Sequence, residues 1–170
     1  MDLNDYVTAV EDFPITGVSF KDITPMLAAP AAFDHSVELL CQTARTLGGD
    51  KIAAFDARGF LWAAPMAVRL RLPLVPIRKK GKLPRATSST SYKGEYGTET
   101  VEMHTDAIAS GERILLVDDV IATGESMRAG AKLVEELGGT VTACLAVIEL
   151  TYLGAQDLLK DLRVDSLLRY

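Results

Sequence analysis

The chain predicts an α/β fold with a central, mainly parallel sheet flanked by helices, and three features carry that expectation. Apolar runs of strand length alternate with amphipathic stretches of helix length, two such strand-helix-strand units follow one another, and the strand runs include one that is apolar throughout, as in strands covered on both faces. Units of this kind join through right-handed crossovers into one sheet. At 170 residues, 48% of them hydrophobic, the chain is expected to form a single domain over residues 1–170.

The elements follow in order. Phe33, Val37, Leu40, Cys41, Ala44 and Leu47 recur at helical spacing, and Gly48-Gly49 stop that helix. Ile52-Ala53-Ala54-Phe55 is too short for a helix and reads as a strand; a loop, Asp56 to Gly59, leads into a second helix from Phe60 to Leu70. Leu74-Val75-Pro76-Ile77 is a further strand, its proline marking an edge or an irregularity. Residues 81–97, rich in Lys, Ser, Thr and Gly, carry no usable periodicity and are expected to be a lid loop. Glu99 to His104 alternates polar with apolar, as a half-exposed strand does. Ile114 to Val117 is apolar throughout, Met127 to Leu137 is helical, Gly138-Gly139 end it, and Val141 to Leu150 return as a strand. No internal repeat is evident.

Bulk properties narrow the function. Acidic residues outnumber basic ones 23 to 18, for a net charge of -5, which argues against a duplex nucleic-acid binder. The start, MDLNDYVTAVEDF, lacks the build of a signal peptide, and no apolar run approaches the roughly 18 residues of a membrane span, so a cytoplasmic protein is expected. Cys41 and Cys144 form no CxxC pair and read as buried reduced thiols. His35 and His104 have no partner at ligand spacing and read as surface or cap residues, and Trp62 as packing at a helix start.

Chemistry concentrates in VDDVIATGES, residues 117–126. Ligands of a parallel sheet bind beyond the carboxyl ends of its strands, and the strand through Val117 is expected to end at Asp118-Asp119. Ala122-Thr123-Gly124-Glu125-Ser126 then enters a helix whose free N–H groups and positive dipole end, equivalent to about half a charge, suit a phosphate. Thr123 and Ser126 add hydroxyl donors, Gly124 lets the backbone come close, and the carboxylates accept hydrogen bonds from vicinal hydroxyls. A ribose 5-phosphate group meets all of these demands. The competing reading is an acidic turn before an ordinary Ser/Thr-capped helix. Neither GxxxxGK[ST] nor GxGxxG is present, which excludes two rival phosphate motifs. The stretch resembles the phosphoribosyl-pyrophosphate (PRPP) motif of the type I phosphoribosyltransferases.

Two further stretches fit a polyphosphate. FDARGF, residues 55–60, is a second strand-to-helix corner with backbone donors and a guanidinium; Arg58 there either meets pyrophosphate or is solvated or paired with Asp56. RKKGKLPR, residues 78–85, gathers five cations in eight residues, either as a solvated run or as charge delivered to a polyphosphate when the lid closes. Glu95, in SYKGEYG, would travel with that lid.

Four blocks in order, FPITGVSFKDITPML, DARGF, IRKKGKLP with SYKGEYG, and ILLVDDVIATGES, are similar to the adenine-specific branch of that family from Phe13 to Tyr170. The resemblance implies the type I phosphoribosyltransferase fold, with a small N-terminal hood at about 10–27 and a flexible lid at about 81–97. It implies a homodimeric purine salvage enzyme that joins adenine to PRPP with Mg2+, giving AMP and pyrophosphate. Mg2+ would be held mainly by PRPP and water, with no dedicated protein ligand. By motif position, Asp118 and Asp119 hold the ribose hydroxyls, Ala122, Thr123, Gly124, Glu125 and Ser126 the 5-phosphate, and Asp56, Ala57, Arg58, Arg78, Lys79 and Lys82 the pyrophosphate. Arg78 is also assigned to a site completed across a dimer interface. The resemblance gives Glu95 proton handling at the purine, places Tyr96 in the lid, and assigns Val18, Ser19, Phe20 and Lys21 to the base, with Phe20 stacking on it. It also implies a non-proline cis peptide at Asp56-Ala57. Ser19, Lys21, Glu125 and Gly94 depart from the family pattern, and the first two leave a phosphoribosyltransferase for hypoxanthine, guanine or xanthine as the competing enzyme. A non-catalytic PRPP-sensing regulator is the reading from a different class.

Overall fold

The computed structural model describes residues 1–94 and 97–170. They form two compact units, Met1–Leu39 and Leu40–Tyr170, the division falling inside a long helix.

In the first unit a 3-10 turn, Leu3–Tyr6, precedes two antiparallel strands, β1 (Thr8–Glu11) and β2 (Ser19–Asp22), paired with Val10 opposite Phe20 and Glu11 opposite Ser19. The connection between them is tied by two bonds: the Gly17 N–H donates to Asp12 Oδ1 at 2.7 Å, and Phe13 N–H to the Val18 carbonyl at 3.2 Å. The Phe13-Pro14 peptide is cis. The Asp22 carboxylate accepts from both the N–H and the hydroxyl of Thr24, opening the short helix α1 (Thr24–Ala28). Helix α2 (Pro30–Leu47) follows, starting three residues before its apolar periodicity because Pro suits a first helical turn.

The second unit is built on a seven-stranded sheet. Its strands are β3 (Lys51–Phe55), β4 (Leu74–Lys79), β5 (Thr87–Gly94), β6 (Gly97–His104), β7 (Arg113–Ile121), β8 (Thr140–Glu149) and β9 (Val164–Arg169), in the spatial order β5-β6-β4-β3-β7-β8-β9. Pairings from β4 through β9 are parallel; β6 runs antiparallel to β4 and to β5. Helix α3 (Gly59–Leu70) connects β3 to β4, α4 (Glu125–Glu136) connects β7 to β8, and a short α5 (Ala155–Leu158) precedes β9. The α/β expectation with a mainly parallel sheet holds.

Burial explains the order of the strands. Ile114, Leu115, Leu116 and Val117 of β7 are all 0% exposed, as a central strand covered on both faces requires. On one face α4 packs Met127, Leu133 and Val134 into a cluster with Phe55, Ile77 and Met103. Gly130 allows the helix to lie this close, since a Cβ there would come within 2.5 Å of Phe55 Cζ. Trp62 is fully buried, and Cys41 and Cys144 are buried thiols outside any disulfide, the Cys144 pKa pushed up to about 12 by burial.

Two expectations need correction, and one open alternative is decided. The 81–97 segment is not a loop over its whole length, because Thr87–Gly94 is a strand paired with β6 residue by residue. Only Thr90 of β5 is buried, so the strand has no hydrophobic alternation to betray it. Next, β7 does not end at the two acids: Asp118 sits opposite Ala146, and the ladder continues to Ile121 opposite Glu149, carried by the long partner β8. Last, Pro76 does not put β4 at an edge; it marks the irregularity, since β6 meets β4 only at Arg78 and Lys79, past the missing N–H.

Candidate active site

The carboxyl end of β7 and the start of α4 form one wall of a cleft of about 560 Å3, in the range of small-molecule sites. Gly124 caps α4 with φ of 85°, a left-handed conformation that suits glycine, and a Cβ there would press on Ala155 at 3.1 Å. No side chain among the described residues caps the helix, so its first N–H groups keep their capacity to bind an anion. The Ser/Thr-capped alternative is thereby set aside. Ala122, Thr123, Glu125 and Ser126 line the same cleft.

Asp118 and Asp119 occupy successive positions of β7, which turns them to opposite faces of the strand. Asp119 is only 4% exposed and pairs with the Arg58 guanidinium. Asp118 is half-buried and accepts the Asp119 N–H at 2.9 Å. Burial, and then the Asp119 charge beside it, push the Asp118 carboxyl well above the ordinary carboxylate range. Such a group is relieved by ligand hydroxyls or a cation and burdened by further negative charge. Gly59 completes this corner: its α-carbon lies so near β7 that a Cβ would sit 2.9 Å from Asp118 Oδ1 and 3.0 Å from the Val117 carbonyl oxygen.

The second corner, after β3, is held by a different pairing from the one the sequence offered. Asp56 pairs with Arg78 of β4, Nε to Oδ2 at 2.8 Å, leaving Arg58 to Asp119. The Asp56-Ala57 peptide is cis. Arg78 also donates from Nη1 to the Lys82 carbonyl at 3.1 Å, and Lys79 lies 3.6 Å from the Glu99 carboxylate. Asp56, Arg78 and the Lys82 backbone thus form one polar set and Arg58 with Asp119 another, while the Lys82 residue itself is exposed.

The β5–β6 hairpin supplies the opposite wall through Tyr92, Lys93, Gly94 and Glu99. Tyr92 donates its hydroxyl to Glu99 Oε2 at 2.9 Å and accepts from Ser126 Oγ at 3.4 Å, joining hairpin to helix. Burial first, and then the carboxylates of Glu99 and Asp118, raise the Tyr92 phenol above its ordinary value. Sequence reasoning missed Tyr92 and Glu99; the one available signal was that they flank the tip at matched distances on two polar strands. Glu95 and Tyr96 lie outside the described residues. In the first unit, Ser19 donates to Glu11 Oε1 at 2.7 Å, Lys21 Nζ reaches Ser19 Oγ at 3.3 Å, and Phe20 packs edge-on to Phe13 with centroids 5.3 Å apart. His104 contacts the Arg85 guanidinium at 3.3 Å, a surface role as expected.

Comparison with known proteins agrees with this geometry. The family model of the phosphoribosyl transferase domain matches residues 23–164. The adenine phosphoribosyltransferase of Kosmotoga olearia is 45% identical over 170 residues, spanning 100% of both chains. A crystal structure of adenine phosphoribosyltransferase from Thermoanaerobacter pseudethanolicus superposes with a TM-score of 0.95 at 44% identity, covering 99% of this chain and 98% of that one. The Saccharomyces cerevisiae adenine phosphoribosyltransferase, solved with an imino-altritol bisphosphate and adenine, gives 0.90 at 32% identity over 97% and 96%.

Proposed function

The chain belongs to the phosphoribosyltransferase family, among relatives named adenine phosphoribosyltransferase, and on that premise we propose that it transfers the 5-phosphoribosyl group of PRPP to adenine, giving AMP and pyrophosphate. One observation carries the reading from geometry: the start of α4, uncapped by any described side chain, lines a cleft that also holds Asp118, so an anion site and a hydroxyl-accepting carboxylate share one cleft, as a ribose 5-phosphate requires.

In this reading the 5-phosphate accepts from the N–H groups at Ala122 to Ser126 and from the Thr123 and Ser126 hydroxyls. Asp118 and Asp119 accept the ribose hydroxyls and, by their charge, favour the electron-poor anomeric carbon that develops as pyrophosphate departs. Arg58, Arg78, Lys79 and Lys82, with the backbone at Asp56 and Ala57, take the pyrophosphate. Val18, Ser19, Phe20 and Lys21 receive the base, residues 10–27 serve as its hood, and Glu95 with Tyr96 closes from the lid to handle the purine proton and exclude water.

The donor set fits a cation carried in with the substrate better than one held by the chain. Two adjacent carboxylates, one already engaged by Arg58, offer too few oxygens for a dedicated octahedral cage, and no group of three or more His, Cys, Asp or Glu among the described residues is arranged to hold a metal. Mg2+ held by PRPP and water, with the Asp118 and Asp119 oxygens near, would neutralise charge on the leaving pyrophosphate.

A homodimer is part of the same proposal. On α3, Leu61 is 42% and Val68 80% exposed, two turns apart on one face, and apolar surface of this kind suits a self-complementary contact. Sedimentation at micromolar concentration should give twice the mass of the chain. Cytoplasmic residence is proposed with it; no helix among the described residues is long and apolar enough to cross a membrane.

The decisive assay is AMP formation from adenine, PRPP and Mg2+, beside hypoxanthine, guanine and xanthine. Adenine should be the preferred base, and Glu95→Gln should lower kcat by about 100-fold or more, the usual weight of a positioned acid or base. Preference for an oxopurine would move the chain to another branch, and PRPP binding without turnover of any base would reduce it to a sensor.

A further inference from the structure

We propose that Glu102 is a positioning residue for the Lys82 cation: it holds the backbone of the turn after β4 in the one arrangement that presents Lys82 to pyrophosphate. The inference rests on the transferase reading only for the identity of the anion.

Glu102 lies on β6, opposite Arg78 on one side and Ser89 on the other, and is 4% exposed. Its Oε1 accepts the Lys82 N–H at 3.0 Å and the Leu83 N–H at 2.9 Å, and its Oε2 accepts the Thr87 hydroxyl at 3.3 Å. A buried carboxylate is an expensive choice inside a sheet, where Val or Ile would serve packing at no desolvation cost. Its presence is accounted for by what it holds. Burial alone would raise this carboxyl, but the N–H groups of Leu83, Gly81 and Lys82 and the Thr87 hydroxyl outweigh it and keep the group below the ordinary carboxylate range. Glu102 is therefore an anion clamping a turn at neutral pH.

The clamp acts on the residue that matters. The Lys82 peptide is gripped from both ends, its N–H by Glu102 and its carbonyl by Arg78 Nη1, and Arg78 is in turn fixed by Asp56 of the β3–α3 corner. The Lys82 residue remains exposed. A solvated run of cations has no need of a backbone held this way. A cation that must meet an anion beside Arg58 does, because a flexible turn would lose its ordering entropy on every binding event.

The test is the coupling between positions 82 and 102, read by calorimetric titration with inorganic pyrophosphate in Mg2+ and, separately, with AMP. Lys82→Ala should weaken pyrophosphate binding roughly tenfold, as loss of one charged contact does. Glu102→Gln should weaken it comparably, the double variant should be no weaker than the poorer single one, and AMP affinity should stay within about twofold throughout. Glu102→Asp, which keeps the charge but shortens its reach, should fall between wild type and Gln and stands in if Gln fails to fold. Additive losses at the two positions, equal losses for AMP and pyrophosphate, or unchanged pyrophosphate binding in Lys82→Ala would each overturn the proposal. Wild-type protein that binds pyrophosphate but forms no AMP would remove the transferase reading and leave the coupling fully readable.

Discussion

The two walls of the cleft come from the same sheet but are held by different forces. On one side stands β7, with four consecutive residues at 0% exposure and neighbours on both edges. On the other, β5 is an edge strand that buries only Thr90 and is held by hydrogen bonds: the main-chain ladder to β6, with Ser91 to Thr100, Tyr92 to Glu99, and Thr87 to Glu102 at its base. Apolar burial is strong and does not depend on the details of geometry, whereas net hydrogen bonding contributes only about 0.5–1.5 kcal/mol per bond. A wall of the first kind keeps its shape between turnovers. One of the second kind opens at low cost, which is what a lid over a water-sensitive reaction requires.

The difference is sharpest in core truncation. Leu116→Ala removes a fully buried side chain from the centre of β7 and should cost about 2–5 kcal/mol in urea unfolding. Thr90→Ala, the corresponding change at the one buried position of β5, should cost under about 1.5 kcal/mol. Similar losses at the two sites would mean that the hairpin belongs to the same cooperative core, and the contrast would fall.

Gly59→Ala probes the join between rigid wall and active corner. Alanine favours a helix, yet its Cβ would meet the Val117 carbonyl oxygen at 3.0 Å and the Asp118 α-carbon at 3.2 Å, both on the backbone and neither free to swing away. A cost of about 1–3 kcal/mol is expected, with a rise in KM for PRPP larger than the drop in kcat, since Asp118 is displaced rather than removed. Unaltered KM would show that the close approach of α3 to β7 has no bearing on the sugar site.

The same contrast governs what the sequence revealed. Ile114 to Val117 and the periodic helices announce themselves because burial leaves a pattern, and the phosphate corner is legible because its order of strand, acids, glycine and helix is a chemical constraint. The hairpin is not, since TSSTSYKG is stabilised by cross-strand partners that no local pattern encodes. VDSLLR, which became β9, escaped for a similar reason: only Leu168 is buried, and its place is set by main-chain pairing with β8. The partners of Asp56 and Arg58 were open in the sequence because Arg78 and Asp119 lie 22 and 61 residues away.

Asp118→Asn should produce a smaller effect of opposite sign. Folding raises this pKa, so the folded chain keeps a proton that the unfolded chain releases once pH passes the ordinary value of 3.8. The contribution of Asp118 to stability is therefore fully present below that pH and is lost as pH rises through the raised value. The Asn variant lacks this loss: without ligand, its melting temperature should gain on wild type as pH climbs through that window, while its PRPP affinity falls. A difference that stays flat with pH would mean that Asp119 and burial exert no net pressure on Asp118, and the stability–function conflict at this position would disappear.

Tyr92→Phe should give the smallest change in global stability and the most localised one. The phenol, raised above its ordinary pKa of 10.0, stays protonated at neutral pH and serves as donor to Glu99 and acceptor for Ser126. Phenylalanine keeps the ring packing and deletes both bonds, which should lower unfolding free energy by about 1 kcal/mol or less. Amide exchange should then quicken in β5 and β6 while β7 and β8 keep their protection, because local opening of the hairpin has one link to α4 fewer to break, that from Ser88 to Glu136 remaining. Ser126, released from Tyr92, has its donor available for a phosphate oxygen, so PRPP affinity should hold or improve even as the lid loosens. Exchange that quickens equally in β7 would show the two walls to be one unit, and a fall in PRPP affinity would show that the phenol supports the phosphate site rather than competing with the ligand for it.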